Sequence, residues 1–477
     1  MRNSPLHRSH SPLGLMLKIL STLALIGLLS TNSATADVLN ASVGRWLANI
    51  DVGGQTMKFG IELYRRADGS SAGDMIAVDR GFAASRLTQI VEKNGNLEID
   101  GPRGLHLSLQ VVDGKLAGSL QQGGKVFSAQ FEKIETFGEP LRAQTPRAPF
   151  PYRLQELVFS SADGTKLSAT LSLPAENQSR QAVVLIHGTG PQDRDQNEDG
   201  HQSFAVLADY LTRHGIAVLR FDKRGVKRSA GSYEAHTQAD LVADVQAAVA
   251  VLRERRVAQK IGIVGHSEGA EVAARVAAQS SSGVDFMVSL SGPGQDLIQV
   301  LDYENAKSLQ LAGASASELA VVSRVGRQFL TLIQTNPDQK LRMTALQSLM
   351  RNLVKEDRDV LIKYRSQLPV LNPAVAATPW AYSALQSHPQ DDWRQVKIPA
   401  LILHGGKDMQ ISADDNVPLI RTALRQSGNQ DVQIDVIANL NHNLQTAGTG
   451  GQEEYSKIAE TLAPQVMEKI AAFVRAR

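Results

Sequence analysis

The most constraining stretch of the sequence is KIGIVGHSEGAEVAARVAAQ, residues 260–279. A continuous apolar run, Ile261 to Val264, reads as a strand buried on both faces. A small-residue helical pattern with Ala270, Ala273, Ala274 and Ala277 begins almost at once. Only Gly265-His266-Ser267-Glu268-Gly269 separates the two. A strand that becomes a helix so abruptly crowds its own backbone, and Gly265 and Gly269 leave room where a Cβ would collide. Such a turn holds the Ser267 hydroxyl out above the sheet. The bare G-x-S-x-G pattern is weak, because Gly69-Ser70-Ser71-Ala72-Gly73 carries it too. That second copy lies between two strand-like segments with no helix after it. Asp68-Gly69-Ser70-Ser71 reads as a hairpin turn, and Ser71 is set aside.

The same strand-then-helix rhythm extends on both sides of Ser267. Ala182–Ile186 is another doubly buried strand, followed by a helix around Phe204–Arg213 and a strand at Ile216–Phe221. Thr237 and Asp240 can form a capping box for a helix whose Leu241, Val245, Ala248, Val249 and Leu252 share one face. Strand-like segments recur at Phe286–Leu290, Ala400–Leu403 and Val432–Ile437. A last amphipathic helix carries Val466, Ile470, Phe473 and Val474. Alternation of this kind specifies an α/β fold on a mostly parallel sheet. The interval between the strands ending at 290 and starting at 400 is long and mostly helical in pattern. An insertion of about 295–390 at that point is expected to be a lid over the strand C-termini.

The first part of the chain differs. Residues 37–138 alternate apolar and polar positions, as at Met57, Phe59, Ile61 and Leu63. Turn signals recur at Gly53-Gly54, Asn94-Gly95, Asp113-Gly114 and Gly123-Gly124. A small antiparallel all-β domain, barrel or curled sheet, is expected there. Residues 139–151 carry Pro140, Pro146, Pro149 and Pro151 and read as a linker. The second domain, 152–477, opens with a hairpin at Asp163-Gly164.

Residues 1–36 read as a signal peptide: Arg2, Arg8 and Lys18, an apolar run from Ile19 to Leu29, and Ala34-Thr35-Ala36 before a cut ahead of Asp37. The run is shorter than the ~20 residues of a membrane span. The expectation is a periplasmic or secreted protein with no stable membrane anchor after cleavage. The chain has no cysteine, so disulfides and thiolate metal sites are excluded. Without Arg2, Arg8 and Lys18 it holds 47 basic residues against 48 acidic ones. A near-neutral protein is not expected to have nucleic acid as a main partner.

A serine hydroxyl is a poor nucleophile without a base, and the base needs an acid to orient it. In folds of this class the order along the chain is serine, acid, histidine. His388, His404 and His442 alone follow the helix behind Ser267. His404 sits on a strand end, and Asp408 lies on the loop just beyond it. His442 alone follows Asp408, just after the last strand-like segment. Ser267, Asp408 and His442 therefore each fall beyond a strand's C-terminal end. Two fixed N–H donors are needed for an oxyanion. Glu268, at the start of the helix, supplies one; Thr189, in Ile186-His187-Gly188-Thr189-Gly190, supplies the other. His187 and His266 are expected to pack or orient loops, and Asp222-Lys223-Arg224-Gly225 to form a salt-bridged loop. Asp193–Gly200 has the flavour of a calcium loop, but its glycine is two places late and Phe204 replaces the closing glutamate. No motif calls for a metal, nucleotide or flavin, and no cofactor is expected.

At HGTGPQDRDQ (187–196), LRFDKRGVKRSAG (219–231), VGHSEGA (264–270), LILHGGKDMQI (401–411) and LNHNLQTAGTG (440–450) the chain resembles bacterial α/β-hydrolases. The group is that of the serine aminopeptidase and dienelactone hydrolase-related carboxylesterases with an N-terminal β-domain. The likeness spans about 155–475, and 40–136 resembles the leader domain of that subset. It implies an α/β-hydrolase fold and carries the nucleophile to Ser267, the acid to Asp408 and the base to His442. Thr189 stands where the subset often has serine, Lys227 where it has glycine, and Asn443 departs beside the base. The reading is an exported serine esterase for small acyl esters. The alternatives are an exported aminopeptidase, with Asp302 and Glu304 as candidates to hold a substrate ammonium, and a non-catalytic binding protein on a hydrolase scaffold. Oligomeric state is not legible.

Overall fold

The computed structural model describes residues 38–477 apart from 53, 81, 140–141 and 176–178. The leader read at 1–36 lies outside the described residues. The chain divides into two compact units, Met1–Glu139 and Pro140–Arg477.

Among the described residues the first unit holds nine strands: β1 (Gly44–Val52), β2 (Gln55–Arg65), β3 (Ser71–Ala77), β4 (Ala83–Arg86), β5 (Gln89–Lys93), β6 (Asn96–Gly101), β7 (Leu105–Val112), β8 (Lys115–Gln122) and β9 (Lys125–Ile134). They form one antiparallel sheet in the order β4-β3-β2-β1-β9-β8-β7-β6-β5, with the first strand beside the last. Residues 87 and 88 join its two ends: the Leu87 amide donates to Gly73 O at 3.0 Å and the Thr88 amide to Asp100 O at 2.8 Å. The sheet is thereby curled into a half-barrel around Trp46, Ile61, Leu97, Leu107 and Phe131. The β5–β6 turn is Asn94-Gly95, with φ of 54° and 79°, a pair of left-handed residues that matches the strand twist. Ser71, from the second G-x-S-x-G pattern, begins β3, where its hydroxyl accepts from Arg65 Nη1 at 2.7 Å.

The second unit is an α/β-hydrolase fold. Its strands are β10 (Arg153–Ser160), β11 (Lys166–Leu173), β12 (Ser179–Ile186), a short ladder of β13 (Asn197–Glu198) and β14 (His201–Gln202), β15 (Ala217–Phe221), β16 (Ala258–His266), β17 (Phe286–Leu290), β18 (Ala400–Gly405) and β19 (Val432–Ile437). The main sheet runs β10-β11-β15-β12-β16-β17-β18-β19. Its first two pairings are antiparallel, and every pairing from β15–β12 to β18–β19 is parallel. Helices Gln238–Glu254, Glu268–Ala277 and Ala413–Gln426 cover one face, and Ser203–Arg213 and Pro464–Arg475 the other. Burial on both faces is what the continuous apolar runs require. The box expected at Thr237 and Asp240 forms at the start of Gln238–Glu254.

The proline-rich stretch has no strand or helix from Arg142 to Tyr152. It is fastened to its own unit: Arg142 donates to Ile458 O, Ser456 O and Asp199 O, and Gln144 Oε1 accepts the Thr461 and Leu462 amides. Between β17 and β18 the insertion carries helices Leu297–Leu311, Ala316–Thr335, Gln339–Asn352 and Lys355–Lys363, then three shorter ones ending at Trp393. It has a core of its own around Leu309, Val325, Phe329, Ile333 and Leu346. Among the described residues no helix is long and apolar enough to cross a membrane.

Candidate active site

β16 ends at His266, and the helix starting at Glu268 begins on the next residue but one. Ser267 alone makes the turn, with φ 55° and ψ −120°, a conformation sparsely populated by non-glycine residues and stored at functional sites. Its amide donates to Leu290 O at 2.9 Å, on the neighbouring strand. A Cβ on Gly265 would lie 2.0 Å from Gly269 O, and one on Gly269 would lie 2.1 Å from Ile186 O. Both contacts are with backbone, so the turn cannot form with larger residues there.

Asp408 follows β18 and His442 follows β19, and the fold brings them together. His442 Nδ1 and Asp408 Oδ2 are 2.8 Å apart, with both residues buried. The other oxygen, Oδ1, accepts the amides of Gln410 and Ile411 at 2.9 and 2.8 Å. His404 Nε2 adds a longer contact of 3.4 Å to Oδ2. Burial opposes ionisation of Asp408, but His442 and His404 outweigh it and hold its carboxyl well below the usual range. Burial likewise works against a charged His442, yet the Asp408 carboxylate, with smaller help from Glu304 and Glu198, raises it above the ordinary imidazole value. Ser267 and His442 are tied through the residue that precedes the serine: His266 Nε2 meets His442 O at 3.0 Å, and the two rings lie 4.9 Å apart. A bond from Ser267 Oγ to His442 Nε2 is not formed among the described residues; such contacts commonly tighten only around substrate.

Glu268 opens its helix, so its amide is one of the N–H groups the helix leaves unpaired. The Gly188 end of the 187–190 loop reaches the elbow: a Cβ on Gly188 would lie 3.4 Å from Ser267 Cβ. Thr189 is the next residue and is exposed.

The Glu268 side chain is not incidental. Its Oε2 accepts from Lys223 Nζ at 2.9 Å, and its Oε1 from Gln238 Nε2 at 2.9 Å and Trp380 Nε1. Lys223 also donates to Gly188 O at 2.8 Å and Gly190 O at 3.3 Å. One buried ammonium thus joins the 187–190 loop to the helix behind Ser267, and burial's push on Glu268 is outweighed by Lys223, so its carboxyl lies below the usual value. The loop 222–225 is salt-bridged throughout, with Asp222 on Arg194 at 2.9 Å and Arg224 on Asp244 at 2.6 Å. His187 packs between Phe204 and Phe221. Sequence reasoning missed Gln238 and Trp380, which lie 30 and 112 residues from Glu268 in the chain.

The insertion lies over this edge of the sheet. Tyr303 donates to Asp408 O at 3.1 Å, and Trp380 reaches Glu268. Asp302 and Glu304 part company: Asp302 pairs with Arg327 at 3.0 Å, while Glu304 accepts from Gln452 at 2.8 Å and is close enough to act on His442. A cavity of about 370 Å³ lies inside the insertion, lined by residues including Leu301, Leu309, Val322 and Leu330, and no triad candidate borders it.

A family model described as Serine aminopeptidase, S33, matches residues 177–446. The chain belongs to that hydrolase family. Esterase EstD of Thermotoga maritima is 26% identical over 310 residues, which are 65% of this chain and 65% of that relative's length. Of solved structures, an esterase of Pyrococcus furiosus aligns at 15% identity and TM-score 0.42, over 68% of this chain and 91% of that one. Proline iminopeptidase of Mycobacterium smegmatis aligns at 14% identity and TM-score 0.40, over 68% and 98%.

Proposed function

We propose that the protein is an exported serine hydrolase that cleaves small carboxylic esters. The observation that carries the proposal is the 2.8 Å Asp408–His442 bond beside a serine held at φ 55° between two obligatory glycines. Ser267 Oγ attacks the ester carbonyl while His442 Nε2 takes its proton. The Thr189 and Glu268 amides hold the oxyanion. As the tetrahedral centre collapses, the ester C–O bond breaks and His442 returns the proton to the departing alkoxide. Water, activated by the same imidazole, then attacks the acyl-enzyme; the acid leaves and Ser267 regains its proton. Asp408 stays ionised throughout, fixes the ring and stabilises the imidazolium. The insertion acts as a lid that shapes the acyl pocket. Likeness to EstD supports an ester substrate; the leader at 1–36 supports export.

Aminopeptidase activity is the second reading. It is favoured by Glu304 and Glu198, carboxylates close enough to act on His442 and of the charge that would receive a substrate ammonium. Asp302 no longer contributes to it, since Arg327 holds its carboxylate. Hydrolysis of p-nitrophenyl esters from acetate to palmitate, beside alanine and proline p-nitroanilides, separates the two. Turnover of short esters by wild type and none by Ser267→Ala is the expected result. Turnover of the anilides alone would favour the peptidase.

A further inference from the structure

A second network underlies the site, and neither catalysis nor packing requires it as described so far. Gln196 Oε1 accepts the Gly188 amide at 3.1 Å. Gln196 Nε2 faces His266 Nδ1 at 3.1 Å and Ser203 Oγ at 3.3 Å. His266 Nε2 faces the backbone carbonyl of His442 at 3.0 Å. Gln196 and His266 are buried, at 5% and 7% exposure.

Backbone groups fix the direction of this chain at both ends. The Gly188 amide can only donate, so the Gln196 carbonyl oxygen must face it and its NH₂ must face His266. The His442 carbonyl can only accept, so His266 must carry its proton on Nε2 and accept at Nδ1. Every donor then meets an acceptor, with a neutral His266. Burial, then the neighbouring His442, hold the His266 imidazole down at about 3, so it stays neutral at working pH.

We propose that Gln196 and His266 are positioning residues that lock the oxyanion loop and the base loop into one register. Gln196 holds the amide next to Thr189, and His266 holds the main chain of His442 itself. The inference rests on the roles given above to Ser267, His442 and Thr189. The groups facing the two imidazoles are Asp408 and His404 from the loop and end of β18, Glu304 from the insertion and Glu198 from β13. Asp408 bonds the His442 ring, but none of them hydrogen-bonds to Gln196, to His266 or to the His442 carbonyl.

Two substitutions separate positioning from bulk packing. Gln196→Leu leaves the Gly188 amide and His266 Nδ1 unpaired. Gln196→Glu keeps the size and the acceptor for Gly188, but its second oxygen can serve His266 only while the pair shares one extra proton. With that proton, on either the carboxyl or the imidazole, both bonds persist. When it leaves, a carboxylate faces the Nδ1 lone pair; His266 must move its proton to Nδ1, and the His442 carbonyl is released. The amide of the wild type has no such titration.

The test is the rate at which a fluorophosphonate probe labels the full-length protein between about pH 5 and pH 10, with circular dichroism at each pH to follow folding. Wild type should rise with deprotonation of His442 and then hold level. Gln196→Glu should give a bell, falling on the alkaline side while still folded. Gln196→Leu should be slower by roughly tenfold or more at every pH. A Gln196→Glu profile parallel to wild type, or Gln196→Leu within twofold of it, would overturn the inference and leave the reading of Ser267 standing. A wild type as silent as Ser267→Ala would overturn that reading and this inference with it.

Discussion

Removing the Lys223 ammonium should unfasten the site from beneath. Lys223 and Glu268 are buried, their side chains 4% and 5% exposed, and 2.9 Å apart. At an effective dielectric constant of about 20, two charges at that distance attract by roughly 6 kcal/mol, and desolvation of both offsets much of it. Lys223→Met discards the attraction but leaves the Glu268 carboxylate buried, together with the Gly188 and Gly190 carbonyls that Lys223 served. Breaking one side of such a pair costs about 3–5 kcal/mol. For the roughly 340 residues of the Pro140–Arg477 unit, that lowers Tm by about 6 °C. Adding Glu268→Gln removes the stranded charge while keeping an acceptor for Gln238 and Trp380, and should recover most of the loss. The assay is calorimetry of wild type, both single variants and the double variant. The reasoning is refuted if Lys223→Met melts within about 1 °C of wild type, or if the double variant is no more stable than Lys223→Met.

Other consequences follow from the triad and the elbow. Asp408→Asn should lower kcat by about 10³–10⁴ without unfolding the protein. The Asp408 charge raises His442, so the acid limb of whatever activity remains should move to lower pH than in wild type; a limb at the same pH would show that Asp408 does not control the base. Gly269→Ala places a Cβ against Ile186 O and His187 O, both backbone, and must shift the start of the helix that presents the Glu268 amide. Fluorophosphonate labelling should fall by about 10² or more, and near-wild-type labelling would contradict the assigned geometry.

What was legible in the sequence was whatever depends on local physics. Doubly buried strands announce themselves as apolar runs, as at Ala182–Ile186, and the strands read at Phe286–Leu290, which is buried, and Val432–Ile437, a half-buried edge, match the observed bounds to the residue. The hairpins show at Asn94-Gly95 and Asp113-Gly114, where consecutive left-handed residues are needed. The Asp408–His442 pairing could be anticipated because loops beyond parallel strands converge on one sheet edge. Contacts set by distant segments were not legible. Nothing near Glu268 foretells Trp380, 112 residues away, and Gln196 looked like one polar residue in a polar loop, although it touches both Gly188 and His266. Helix periodicity located the insertion but not its outer face: Leu341, which reads as core, is 64% exposed, while Leu346 is buried. The pairing of β1 with β9 inside the β-domain's sheet joins residues some ninety positions apart, beyond the reach of turn chemistry.

The most direct test of the central claim is mass-spectrometric mapping of fluorophosphonate label on the folded protein, with Ser267→Ala and His442→Ala alongside. A single adduct on Ser267, absent from Ser267→Ala and strongly reduced in His442→Ala, is the predicted result. Label on another serine, or an unmodified Ser267 in folded wild type, would contradict the assignment of Ser267 as the nucleophile.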